Sequence, residues 1–387
     1  MNDTVRRMLP FPAGKRAAGP RAPLLWRVTP RTPAFLLAPV LLLVQGFMPG
    51  PSSSLHAQEE KLRVMASLTT YADIAREIGG DRAEVRAIGR GRENPHHIQP
   101  TPGLLLEVRR AHMLITTGLD LELWLPPLLE RANNPRFVSG GRGLVTVAPG
   151  IKLLDVPETL SRSEGDTHIY GNHHIWTEPA NGVVIARNIL AGYRRVDPGN
   201  AAYYQERFDD WLDRLMRTFV GDELVELLGL EELAALDYAG ELWSFLNEQS
   251  FQGRPLVDRV GGWLEEGLPM RGQEALCYHK AWSYFTRTFG VICAEYIEPR
   301  PGIPPTPRHV AQIMEVARQR NLSVILVENY YDQDQIRMVA ARTGATPVIL
   351  PLNVQGAPGV DSFIDLVSTW VSEISAAFRV NAPAPQP

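Results

Sequence analysis

The chain is poor in cysteine, in long apolar runs and, beyond its first segment, in positive charge. Cys277 and Cys293 are the only two cysteines in 387 residues. They form one disulfide or stay as two buried thiols, and spacing alone does not decide between these. After residue 57 no stretch approaches the roughly 20 apolar residues that a membrane-spanning helix needs. Three enzyme signatures are also missing. There is no His-Glu-x-x-His helix, no Gly-x-Ser-x-Gly elbow and no Gly-x-x-x-x-Gly-Lys-Ser/Thr loop, and each absence removes one class of enzyme. Residues 58–387 hold 32 basic against 42 acidic side chains, a formal net charge of −10. That surface argues against nucleic acid or anionic lipid as a partner and suits a cationic ligand.

Residues 1–57 differ in kind. Seven basic residues (Arg6, Arg7, Lys15, Arg16, Arg21, Arg27, Arg31) face a single acid, Asp3, and an apolar run follows from Ala34 to Val44. A small-residue stretch then ends at Leu55-His56-Ala57. This order is that of a secretory signal peptide, and the apolar run is short for an uncleaved anchor, the alternative reading. With no cysteine near the cleavage-like site, lipid attachment there is not expected. The mature product is expected to be soluble in a periplasmic or other extracytoplasmic compartment, where a disulfide would persist.

From Leu62 onward, short apolar runs alternate with helical periodicity. Strands are expected at Leu62–Ser67, Glu84–Ile88, Met113–Thr117 and Leu144–Val147. Helices are expected at Tyr71–Ile78, Leu104–Arg110 (capped by Thr101) and near Leu121–Ala132. Strands alternating with helices imply a parallel sheet covered on both faces. Residues 58–178 thus read as an N-terminal α/β lobe. Residues 179–270 read as an almost wholly helical linker and insertion. Within it Tyr204, Phe208, Trp211, Leu212 and Leu215 recur at core-stripe spacing. Residues 271–380 repeat the α/β pattern. Strands are expected at Ala275–Tyr278, Val291–Ile297, Ser323–Glu328 and Pro347–Leu352, and residues 381–387 form a disordered-type tail. The expected fold is α/β: two Rossmann-like lobes with parallel sheets, joined by a long helical linker, with a cleft between them.

Nine histidines are present. His56 falls in the removable segment, while His112 and His309 stand alone at element starts and are expected to be structural. The others gather at Asn94-Pro95-His96-His97-Ile98, at His168 to His174, and at Tyr278-His279-Lys280. Each place lies where an expected strand gives way to a loop, the side on which open α/β sheets bind ligands. Imidazole nitrogen suits zinc, and three histidines from separate loops fill three tetrahedral positions. Spacing alone does not show that these loops meet, so scattered surface histidines are the competing reading.

The surroundings of these histidines resemble the solute-binding proteins of zinc and manganese ABC transporters. The resemblance runs through Asn94-Pro95-His96-His97-Ile98-Gln99-Pro100-Thr101-Pro102, His174-Ile175-Trp176-Thr177-Glu178-Pro179 and His279-Lys280-Ala281-Trp282-Ser283-Tyr284-Phe285. A turn from Ile297-Glu298-Pro299 to Pro307 fits as well. These motifs keep the family's order over nearly all of residues 62–378. The resemblance implies metal ligation by His96, His174 and His279, with His97 and His173 as the nearest competitors. A histidine at the third position resembles the zinc members, since a harder ion such as manganese prefers oxygen. It implies a non-enzymatic monomer that captures Zn2+, with Mn2+ as the alternative, and delivers it to an ABC transporter membrane permease.

The chain departs from the pattern in three ways. Leu352-Asn353-Val354-Gln355-Gly356 stands where the family has a carboxylate ligand, which leaves water, Glu328 or Asp361 to complete the site. The His-rich loop of many zinc members is reduced to Asp166, His168 and His173. Residues 221–271 contain a longer helical insertion than the family core. Two rival functions use the same residues: an exported zinc-dependent hydrolase, and a metal-stabilised adhesin or envelope scaffold.

Overall fold

The computed structural model describes residues 60–138, 140–157, 169–300 and 302–380. The expected signal peptide 1–57, the expected tail 381–387, and His56, Asp166 and His168 lie outside the described residues. In the first lobe the chain runs β1 (Leu62–Ala66), α1 (Thr69–Gly79), β2 (Ala83–Ala87) and α2 (Pro102–Arg110). It continues through β3 (Met113–Thr116), α3 (Leu125–Ala132) and β4 (Leu144–Thr146). The four strands form one parallel sheet in the order β2-β1-β3-β4. All four residues of β3 are buried, as a sheet covered on both faces requires. Thr101 caps α2, its side chain accepting from the Leu104 backbone N–H. Gly79 is needed at the end of α1 because a Cβ there would come within 2.4 Å of the Tyr193 hydroxyl.

The helical middle folds back on itself. Helix α4 (Pro179–Val196) breaks at Asp197-Pro198, and α5 (Ala201–Val220) returns along α4 and α1. The stripe on α5 is core: Tyr204, Phe208, Trp211, Leu212 and Leu215 are all buried. Three short helices follow, α6 (Asp222–Leu228), α7 (Leu230–Ala239) and α8 (Leu242–Glu248). The helices then give way briefly to a hairpin. Strands β5 (Ser250–Phe251) and β6 (Arg254–Pro255) pair antiparallel around Gln252 and Gly253. Both turn residues have positive φ, 52° and 78°, the conformation that a tight two-residue hairpin turn demands. Strands this short leave no periodic trace. Helix α9 (Gly262–Glu266) then leads into the second lobe.

That lobe comprises β7 (Glu274–Cys277), α10 (Ser283–Phe289), β8 (Ile292–Tyr296) and α11 (Pro307–Gln319). It closes with β9 (Val324–Glu328), α12 (Gln333–Thr343), β10 (Thr346–Leu350) and α13 (Phe363–Val380). Its sheet, in the order β10-β9-β7-β8, is also parallel and repeats the connectivity of the first. Cys277 and Cys293 form a disulfide that joins β7 to its neighbour β8. No helix among the described residues is long and apolar enough to cross a membrane.

Buried polar bonds tie the lobes together. The Thr69 hydroxyl donates to the Val354 carbonyl at 2.6 Å, and Trp176 Nε1 donates to the Leu352 carbonyl at 2.8 Å. Asp73 Oδ2 accepts from the Phe363 N–H at 2.8 Å, at the first residue of α13. Glu178, fully buried where α4 begins, receives Arg287 and Thr288 from the second lobe at 2.6–2.9 Å.

Candidate metal centre

Three loops at the carboxyl ends of strands deliver the three imidazoles. His96 sits in a single turn, Pro95–His97, whose entry is fixed by the Asn94 side chain accepting from the His96 N–H at 3.0 Å. His174 stands between β4 and α4, just before the turn Ile175–Thr177. His279 follows β7 by two residues. One ligand atom from each lies within 4.8 Å of the other two, and among the described residues no carboxylate joins them. His96 Nε2 and His174 Nε2 are 3.4 Å apart. Two nitrogens bound tetrahedrally to one zinc at about 2.05 Å would be about 3.4 Å apart, so this pair is already spaced for an ion. His174 and His279 are buried and His96 is half-buried.

Two of the rings are held from behind. His174 Nδ1 faces Asn172 Oδ1 at 3.0 Å, and the same oxygen accepts the His174 backbone N–H at 3.0 Å. His279 Nδ1 meets Glu298 Oε2 at 2.5 Å, while Glu298 Oε1 accepts the Gly302 N–H at 2.9 Å. Both partners are acceptors, so each Nδ1 carries the proton and each Nε2 is the nitrogen with a lone pair to offer a metal. A cavity of about 250 Å3 opens beside His96 and His279, walled by Tyr278, Tyr330, Tyr331 and Asp332.

The other candidates are not part of that trio. His97 is exposed at the cavity rim. His173 is buried beside the trio, its ring 4.8 Å from those of His96 and His174, with Nδ1 3.4 Å from the Leu119 carbonyl. His112 Nδ1 accepts the Arg63 backbone N–H at 3.0 Å, and burial together with the Arg63 charge holds its pKa below the usual imidazole value. His309 Nε2 meets the Tyr296 carbonyl at 3.0 Å. Asn353 Oδ1 accepts the Thr70 hydroxyl at 3.1 Å, so this side chain serves the contact between the lobes. Asp361 is exposed. Glu328 is fully buried, and burial together with the Glu298 charge pushes its carboxyl well above the usual range, favouring the neutral acid.

Sequence reasoning missed Asn172 and Glu298. The only signals were that Asn172 lies two residues before a candidate ligand and that Glu298 opens the proline-rich turn.

A family model described as zinc-uptake complex component A, periplasmic (ZnuA), matches residues 64–218 and 258–377. The chain belongs to that family. The match breaks across α6 to β6, the part that adds short helices and the hairpin to the core. Among curated relatives, the iron-binding protein YfeA of Yersinia pestis is 24% identical over 327 residues, covering 82% of this chain and 87% of YfeA. The manganese ABC transporter substrate-binding lipoprotein PsaA of Streptococcus mitis is 21% identical over 291 residues, covering 74% and 78%. A crystal structure of ZnuA superposes with a TM-score of 0.57 at 21% identity, covering 83% of this chain and 98% of the other. That likeness shows a shared fold.

Proposed function

We propose that this protein is an extracytoplasmic receptor that captures a divalent transition-metal ion, zinc in preference to manganese, and passes it to the membrane permease of an ABC importer. His96, His174 and His279 are the proposed ligands. The observation that carries this reading is the convergence of three imidazoles from both lobes, two of them already 3.4 Å apart, inside a family of metal-uptake proteins. The donor set supports the choice of ion. Three nitrogens with no carboxylate among them suit a borderline ion such as zinc, whereas manganese is best held by oxygen. Relatives named for manganese and iron make this preference a point to test.

Mature protein, purified without added metal and then given equimolar zinc and manganese, is expected to retain about one zinc per chain by elemental analysis. Retention of manganese over zinc would reverse the preference, and retention of neither would remove the metal reading.

A further inference from the structure

The side-chain amide of Asn172 touches both of the segments that must come together around the ion. Its Oδ1 accepts from the His174 backbone N–H and from His174 Nδ1, each at 3.0 Å. Its Nδ2 donates at 2.6 Å to the carbonyl of Lys280, the residue after His279. Asp155 Oδ2 and Ser283 Oγ lie 2.9 and 3.2 Å from the same nitrogen. The main chain is held as firmly. The Asn172 N–H donates to the Leu154 carbonyl at 2.7 Å, and its own carbonyl accepts the Tyr284 hydroxyl at 2.6 Å. Asn172 is fully buried. Residues 172 and 174 precede α4, whereas residues 280, 283 and 284 belong to the second lobe. One planar amide therefore spans the seam between two candidate ligands.

We infer that Asn172 is a positioning residue that sets the distance between His174 and His279 and thereby governs how fast the captured ion leaves. This rests on the metal-binding reading above and adds a residue to it. The ligand nitrogens reach up to 4.8 Å apart, so closing on a tetrahedral ion takes a movement of no more than about 1.4 Å. A rigid link across the seam keeps the needed movement that small. Without it Thr177 and Glu178 still hold Ala281 and Arg287 across the seam, but the His174 imidazole is no longer tied to the segment of His279, and each excursion of His279 opens a coordination position to a competing chelator.

The two halves of the amide can be separated. Asn172→Asp keeps an oxygen acceptor for His174 but replaces the Nδ2 donor with an oxygen facing the Lys280 carbonyl and the Asp155 carboxylate. Tyr284→Phe leaves Asn172 intact and removes the hydroxyl that holds its carbonyl. The test loads full-length mature protein and both variants with zinc, and separately with cobalt(II). Release of zinc to a chelator is timed, and the visible absorption of cobalt reports the coordination geometry. The added charge of Asn172→Asp by itself favours a dication, so release of zinc at least about 10-fold faster, with a changed cobalt spectrum, is the outcome expected if the lost Nδ2 link decides. Tyr284→Phe should move release in the same direction by a smaller factor. A purely structural role would lower the melting temperature of metal-free protein and leave the cobalt spectrum unchanged, which would overturn the inference. Parent-like release by Asn172→Asp would also overturn it. Should that variant fail to fold, parent-like release by Tyr284→Phe has the same force. A parent chain that takes up neither metal overturns the metal reading and this inference with it.

Discussion

Replacing Glu298 by glutamine tests the centre without touching a ligand. Both carboxylate oxygens are in use as acceptors: Oε2 for the imidazole proton of His279 at 2.5 Å, Oε1 for the Gly302 N–H at 2.9 Å. Glutamine offers one oxygen and one NH2 group, so whichever way it turns, one donor meets another donor. The side chain is only 6% exposed, so water does not readily make good the loss. The substitution also removes a negative charge next to a site meant for a dication. Loss of such an outer partner typically costs 10- to 100-fold in metal affinity, or about 1.4–2.7 kcal/mol. Burial and charge together place Glu298→Gln toward the upper end of that range. Competition for zinc against a fluorescent chelator at neutral pH gives the ratio of dissociation constants directly. An affinity within about threefold of the parent, in a variant that melts normally, would refute the claim that Glu298 orients His279.

Three further outcomes follow from the same geometry. His174→Ala removes a proposed ligand, so zinc retention should fall by more than the about 100-fold ceiling for an outer partner, and full-strength binding would take His174 out of the site. Burial pushes the Asp73 carboxyl from 3.8 up to about 6, against the pull of the Phe363 N–H. The folded state therefore holds this proton more tightly than the unfolded chain, and the stabilisation, complete below the unfolded value, is lost as pH rises through about 6. Asp73→Asn, uncharged and still able to accept from Phe363, should match the parent near pH 4 and exceed it by on the order of 3 kcal/mol near pH 8. Urea midpoints that differ equally at both pH values would contradict this. Reducing the Cys277–Cys293 bond, which spans a sequence separation of 16, should cost metal-free protein about 3 kcal/mol, read as a lowered melting temperature with reductant present. An unchanged melt would show that the crosslink adds nothing.

The parts of this molecule that were legible in its sequence are those written in local chemistry. Alternating apolar runs gave both sheets to within a residue or two, because a buried parallel strand needs continuous hydrophobicity. Thr101 announced a helix start because a hydroxyl there has an orphan N–H to accept. His96, His174 and His279 stood out because each sits in a segment that follows a strand, inside a recognisable motif. What was not legible depends on side chains meeting across long stretches of chain. Asn353 reads only as an indifferent ligand until its partner is seen to be Thr70, 283 residues away. Glu298 and Asn172 have ordinary sequence neighbourhoods, and their roles appear only when His279 and His174 are placed against them. The β5–β6 hairpin escaped because two-residue strands carry no period.

The buried bonds between the lobes bear on how cargo is exchanged. Thr69 with Val354, Trp176 with Leu352, Asp73 with Phe363 and Glu178 with Arg287 all lie along one seam. Swinging the halves apart like a clam would break all of them at once, exchanging each for bonds to water at about 0.5–1.5 kcal/mol, and more for the charged Glu178–Arg287 pair. Under the proposed function, ion entry and exit would then fall to individual loops stepping aside while the body stays shut. A transporter waiting at the membrane would have to recognise the loaded state from the order of those loops rather than from the angle between two halves.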